Sequence, residues 1–231
     1  MSPSDRPATV PRAEPSLHEI LGGRRGAVDA TVPVVAFVLG WLAAGWFGGP
    51  SPVVWGGATA MLAALIVAVT RLATGSRPRS VLLGLLGVVV AALIALYTGR
   101  AVDYFLLQIL ANAASALAWA VSIVVRWPLL GVVVGVVLGQ RTRWRRDPDL
   151  MRGYQRASWF WVGQYLLRLG VFLPLYFTDA VVALGVARVA LTWPLILACI
   201  AVSWRVIRRT LPDDHPGLRR PRTPDPPRSP D

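Results

Sequence analysis

Six runs of almost unbroken apolar residues decide what this 231-residue chain can fold into. They cover residues 30–47, 53–70, 81–98, 104–125, 158–177 and 189–206. As an α-helix, each is long enough to cross a hydrocarbon layer of about 30 Å. A membrane strand would need only about 10 residues with alternating polarity, a pattern these runs lack. The expected fold class is therefore all-α, a polytopic integral membrane helix bundle with six transmembrane helices. Composition agrees: charged residues make up 16% of the chain and mean hydropathy is +0.53. A soluble domain carries roughly 25% charged residues, so the composition argues against a soluble enzyme. The single cysteine, Cys199, bars an intramolecular disulfide and a cysteine-cluster metal site.

A seventh apolar stretch, 129–139 (LLGVVVGVVLG), is too short to span. It is expected to be a short re-entrant or interfacial helix with Pro128 at its first position. Gly131, Gly135 and Gly139 recur every fourth residue, a face that another helix could approach closely. The alternative is a stretch that is merely apolar. Arginine placement supports the count of six. All 24 basic residues are arginine, and 21 fall on one side of a six-helix arrangement. Arg100 and Arg188 fall on the other, and Arg168 lies inside the membrane. Positive charge marks the cytoplasmic side, so both termini are expected there. If 129–139 crossed, the cluster from Arg141 to Arg156 would move outside and the asymmetry would collapse. The expected organisation is a disordered tail over 1–16, a transmembrane helical domain over 17–209 and a disordered tail over 210–231, both tails being rich in proline and charge. Ser16 and Glu19 have capping-box spacing for a short helix over 17–21. A cleaved signal peptide is not expected, since the first run is followed by five more.

Catalytic candidates are few. His18 and His215 lie in the tail regions, and Asp29, Asp103 and Asp179 stand alone rather than in magnesium-holding pairs. No zincin, nucleophile-elbow or phosphate-loop pattern occurs. The expectation is no enzyme, no cofactor and no metal. Polar residues inside the spans remain. Gln108, Asn112 and Ser115 share one face of the fourth helix, with Ser122 further on; Gln164 and Arg168 share one face of the fifth. These faces are expected to point inward and toward each other. They form either a small polar site or hydrogen bonds that simply hold the bundle, the favoured reading everywhere except Arg168. An arginine at a helix centre costs about 2.5–3.5 kcal/mol unless partnered. An anion and backbone carbonyls are the two partners left open. Arg141, Arg143, Arg145 and Arg146, mixed with Trp144 and Tyr154, favour contact with anionic lipid over nucleic acid. Trp41, Trp46, Trp55, Trp127, Trp159 and Trp161 are expected at the interface, Trp119 and Trp193 in packing.

The runs LGGRRGAVDATVPVVAF, LLGLLGVVVAALIALYTGRAVDYFLLQILANA, RWPLLGVVVG, WRRDP and SWFW resemble an actinobacterial family of uncharacterised multi-pass membrane proteins, domain-of-unknown-function family 3159, over residues 17–209. More distantly, Asp29 with Pro33, the turn Arg126-Trp127-Pro128-Leu129 and the Ser158-Trp159 start resemble the intracellular septation protein A family. The chain departs from that family at Arg126, where the family has Gly-Lys, and in the arginine of its fifth span. That resemblance implies a role in envelope growth and division and supplies no catalytic residue. The expected function is a non-enzymatic, multi-pass plasma-membrane protein supporting envelope organisation or septation. Its expected partners are the lipid bilayer, with anionic lipids, and further copies or other membrane proteins, without nucleic acid. The alternative is a small transporter or channel for a small polar or anionic solute.

Overall fold

The structure, a computed structural model, describes residues 23–49, 51–76, 78–140, 142–212, 215–218, 221 and 222, with side chains from Val28 onward. The expected helix over 17–21 and the tail over 1–16 lie outside the described residues. Seven α-helices follow in order: α1 Gly23–Trp46, α2 Pro52–Ala73, α3 Pro78–Thr98, α4 Leu106–Val124, α5 Leu129–Val137, α6 Pro148–Phe177 and α7 Val181–Thr210. Short 3₁₀ turns at Ala101–Phe105 and Arg143–Arg146 lead into α4 and α6. Six of the helical segments are long and apolar enough to cross a membrane, and no strand occurs among the described residues. The chain is a polytopic membrane helix bundle.

Its packing is the reverse of a soluble bundle. Gly56, Ala60, Ala64 and Ala68 of α2, one every four residues, are buried, while Leu62, Leu65, Ile66 and Val69 are exposed. Small residues let helix backbones approach where no hydrophobic force drives them together, and large apolar side chains face lipid. α1 and α2 run antiparallel, with Asp29 near the start of one ion-paired to Arg71 near the end of the other. Thr59 donates to the Ala36 carbonyl at 2.8 Å between them. Beside it, a β-carbon at Gly40 would overlap Thr59 Oγ1. The main core joins α1, α2, α3, α4, α6 and α7: Phe37 stacks on Tyr104 at 3.9 Å, and Phe105 meets both rings edge-on.

Three helices start seven or more residues before the sequence reading, α1 at Gly23 rather than 30. α6 begins at Pro148, ten residues before the expected 158, because Asp147 caps it and Pro148 occupies its first turn. α7 begins at Val181 rather than 189, directly after the turn at Asp179 and Ala180. Arg188 therefore lies within α7, not in an outer loop. α6 and α7 each have 30 residues, about 45 Å against a 30 Å core. Trp119, near the end of α4, stacks on Trp161 of α6 at 5.0 Å. That register carries the first turns of α6 beyond the end of α4. α5, with nine residues, is about 13 Å long and does not cross.

Candidate functional site

The intramembrane polar residues come from α4 and α6, which pack antiparallel. Asn112, Gln164 and Arg168 are all buried and Gln108 is half-buried, as expected of faces turned inward. Gln108 Nε2 donates to Asn112 Oδ1 at 3.4 Å within α4. Arg168 Nη2 donates to the Thr192 carbonyl at 3.0 Å and the Leu191 carbonyl at 3.4 Å. Both acceptors lie in the turn of α7 that precedes Pro194, whose missing N–H loosens the local backbone pairing. Of the two partners left open for Arg168, the structure supplies the carbonyls. The site is not closed by them: Arg168 Nε, both amide atoms of Gln164 and Asn112 Nδ2 are buried without a partner. No hydrogen bond between the α4 and α6 groups occurs among the described residues. Ser122 does not belong to the set. Its Oγ donates to the Trp119 carbonyl at 2.7 Å and accepts from Leu129 N, tying α4 to the start of α5.

The three glycines of the 129–139 stretch do different jobs rather than forming one face for a neighbouring helix. Gly131 is filled by the ring of Trp144: a β-carbon there would lie 2.7 Å from Trp144 Cη2. Gly135 is buried. Gly139, at φ +64, is the left-handed residue that ends the helix, with Gln140 N donating to the Gly135 carbonyl at 2.8 Å. The α5 spacing could not reveal this, because Trp144 lies in the next turn of chain. The close-packing stripe is on α2 instead, where alanines at the same spacing were the overlooked signal.

The basic segment divides between a buried frame and an exposed rim. Trp144 and Tyr154, expected among the contacts of this surface, are fully buried and meet edge to face at 5.5 Å. Arg143, Arg145 and Arg146 are exposed, with Arg145 3.8 Å from the Trp127 ring centre; Arg141 lies outside the described residues. Arg152 and Arg156 on α6 and Arg205, Arg208 and Arg209 on α7 extend the rim. Toward the opposite end the described arginines are Arg100 and, two turns into α7, Arg188. Trp161, expected at the interface, is a packing residue: it stacks on Trp119 and donates from Nε1 to Ser203 Oγ at 3.0 Å.

The frame centres on Asp147, a residue the sequence reading passed over although Asp-Pro is a helix-start pattern. Its Oδ1 accepts from the N–H groups of Asp149 and Leu150. Its Oδ2 accepts from Arg222 N and from His215 Nε2, both at 2.8 Å. Gly217 N donates to His215 Nδ1, so the ring proton lies on Nε2, the atom facing Asp147. Burial would raise the Asp147 carboxyl, but the Arg222, His215 and Leu150 donors outweigh it and hold the group below its ordinary range. Gln140 Nε2 adds a bond to the Leu218 carbonyl. The described residues between 215 and 222 therefore return to the bundle, in contrast to the solvated tail expected over 210–231.

The chain belongs to the family described as protein of unknown function (DUF3159), whose sequence pattern matches residues 21–214. Neither the curated proteins nor the solved structures give a match.

Proposed function

We propose that this DUF3159 chain is a non-enzymatic plasma-membrane protein that organises the cell envelope from the cytoplasmic leaflet. The observation that carries the reading is the exposed arginine rim, built on a buried frame at one end of the bundle. An exposed arginine layer on a flexible loop would be ordinary topology. Here a buried tryptophan, a four-donor aspartate and a docked segment fix the surface that presents it. Such a surface suits the phosphates of anionic lipids, each arginine near them contributing about 1 kcal/mol. The excess of arginine at this end also supports cytoplasmic termini. Resemblance to the septation family supports division or envelope growth as the process served, with further copies or other membrane proteins as partners.

The experiment combines lipid retention with complementation. Chain purified from mixed bilayers should retain phosphatidylglycerol or cardiolipin over phosphatidylethanolamine. Arg143→Gln, Arg145→Gln and Arg146→Gln together should cut that preference severalfold and fail to correct the shape or septum defect of a deletion strain. No lipid preference, or a deletion strain of normal shape and division, would overturn the reading. A second reading, a small carrier or channel for a polar or anionic solute, is favoured by a separate observation: the unpartnered groups of Asn112, Gln164 and Arg168.

A further inference from the structure

We propose that the bundle interior between α4, α6 and α7 holds a binding site for a small monovalent inorganic anion, centred on Arg168 and completed by Gln164 and Asn112. This concerns binding alone, and it is independent of the lipid reading and of any transport step.

Burial and register bring the three residues together. Their exposures are 2% for Asn112, 4% for Gln164 and 6% for Arg168. The flat stack of Trp119 on Trp161 fixes how α4 passes α6. Moving seven residues from each tryptophan toward the same end of the bundle reaches Asn112 on α4 and Arg168 on α6. Seven residues are close to two turns, so both project from the faces that carry the tryptophans, about 10 Å along the axis. Gln164 lies one turn nearer the stack on the same face of α6.

The chemistry of the unpartnered atoms selects the ligand. Arg168 Nε, Gln164 Nε2 and Asn112 Nδ2 are donors, and Gln164 Oε1 is the one acceptor among them. The described carboxylates are engaged elsewhere. Asp29 pairs with Arg71, Asp179 with Arg100, Asp149 with Arg152, and Asp103 accepts from Tyr176, while Asp147 holds the opposite frame. The Arg168 charge thus meets two carbonyls and the Tyr165 ring, 5.7 Å away, but no negative charge. Water would satisfy the donors and leave the charge uncompensated in a low dielectric. An anion does both. Arg168 contributes one formal charge and Gln164 and Asn112 one amide donor each, a set that suits a small monovalent ion such as chloride or nitrate.

The test is thermal unfolding of the full chain in detergent at constant ionic strength, replacing sodium gluconate with chloride or nitrate. The wild type should melt about 2–4 °C higher in the small anions, with saturation. Arg168→Gln and Gln164→Leu should each lose that increment, while Arg152→Gln, on the exposed rim, keeps it. If Arg168→Gln does not fold, Gln164→Leu decides alone, since it removes two unpartnered groups without changing charge. Equal melting of the wild type in all three salts, or retention of the increment in the folded site variants, overturns the proposal.

Discussion

Two backbone positions show how narrowly single residues fit this bundle. At Gly40 a β-carbon would overlap Thr59 Oγ1 and lie 2.9 Å from the Trp55 carbonyl, whereas at Gly45, in the same helix, it would meet nothing within 4 Å. Gly40→Ala is expected to cost about 2 kcal/mol by forcing α1 away from α2. Gly45→Ala should be neutral or gain a few tenths through helix propensity. Denaturant unfolding of the two variants in detergent checks the contrast. Arg126 ends α4 at φ 56, a left-handed position that Gly48, Gly75, Gly99 and Gly139 fill at other turns. A side chain there costs about 1–2 kcal/mol. Arg126→Gly is therefore expected to raise stability by about 0.5–1 kcal/mol after the added flexibility of the unfolded glycine is subtracted. A fall in melting temperature would mean the guanidinium makes a contact worth more than the strain.

At the scale of elements, α6 depends on its start. Asp147 caps two helix N–H groups and holds His215 and Arg222 against the frame. Asp147→Ala should cost about 2 kcal/mol and speed tryptic cleavage beyond Thr210, because the cap and the segment's anchor are lost together. The carboxyl is held below its ordinary value of 3.8 when folded. Its stabilisation is therefore complete above that pH and is lost as pH falls through the lower folded value. The stability difference between the wild type and Asp147→Asn, measured by unfolding across pH, should stay level above about pH 5 and shrink below 4. A difference that failed to shrink below pH 4 would show that the charge does not stabilise the fold.

Across the whole molecule, the arginine rim defines an orientation that can be tested from outside. In a Cys199→Ala background, Arg152→Cys should escape an impermeant thiol reagent in intact cells, and Thr98→Cys should react. Both positions are exposed, whereas nearby Leu150 is fully buried and would stay silent in either orientation. Labelling at 152 would place the rim outside and reverse the topology. The early start of α6 gives the same orientation a structural meaning: its first ten residues, 148–157, precede the apolar run, carry Arg152 and Arg156, and support the frame at the arginine end.

The sequence by itself determined the six membrane helices, the non-crossing stretch at 129–139 and the inward turn of Asn112, Gln164 and Arg168. Each is a consequence of length, hydropathy or helical spacing within a single segment, and lipid imposes those rules without reference to neighbours. The tertiary structure decided what one segment does to another. It filled Gly131 with Trp144, placed the tight approach at Gly40 and Thr59, gave Arg168 the carbonyls of the turn before Pro194, and folded His215 back onto Asp147. These pairings join residues far apart in the chain, and the energy of each depends on the distance between partners, a quantity no single segment encodes.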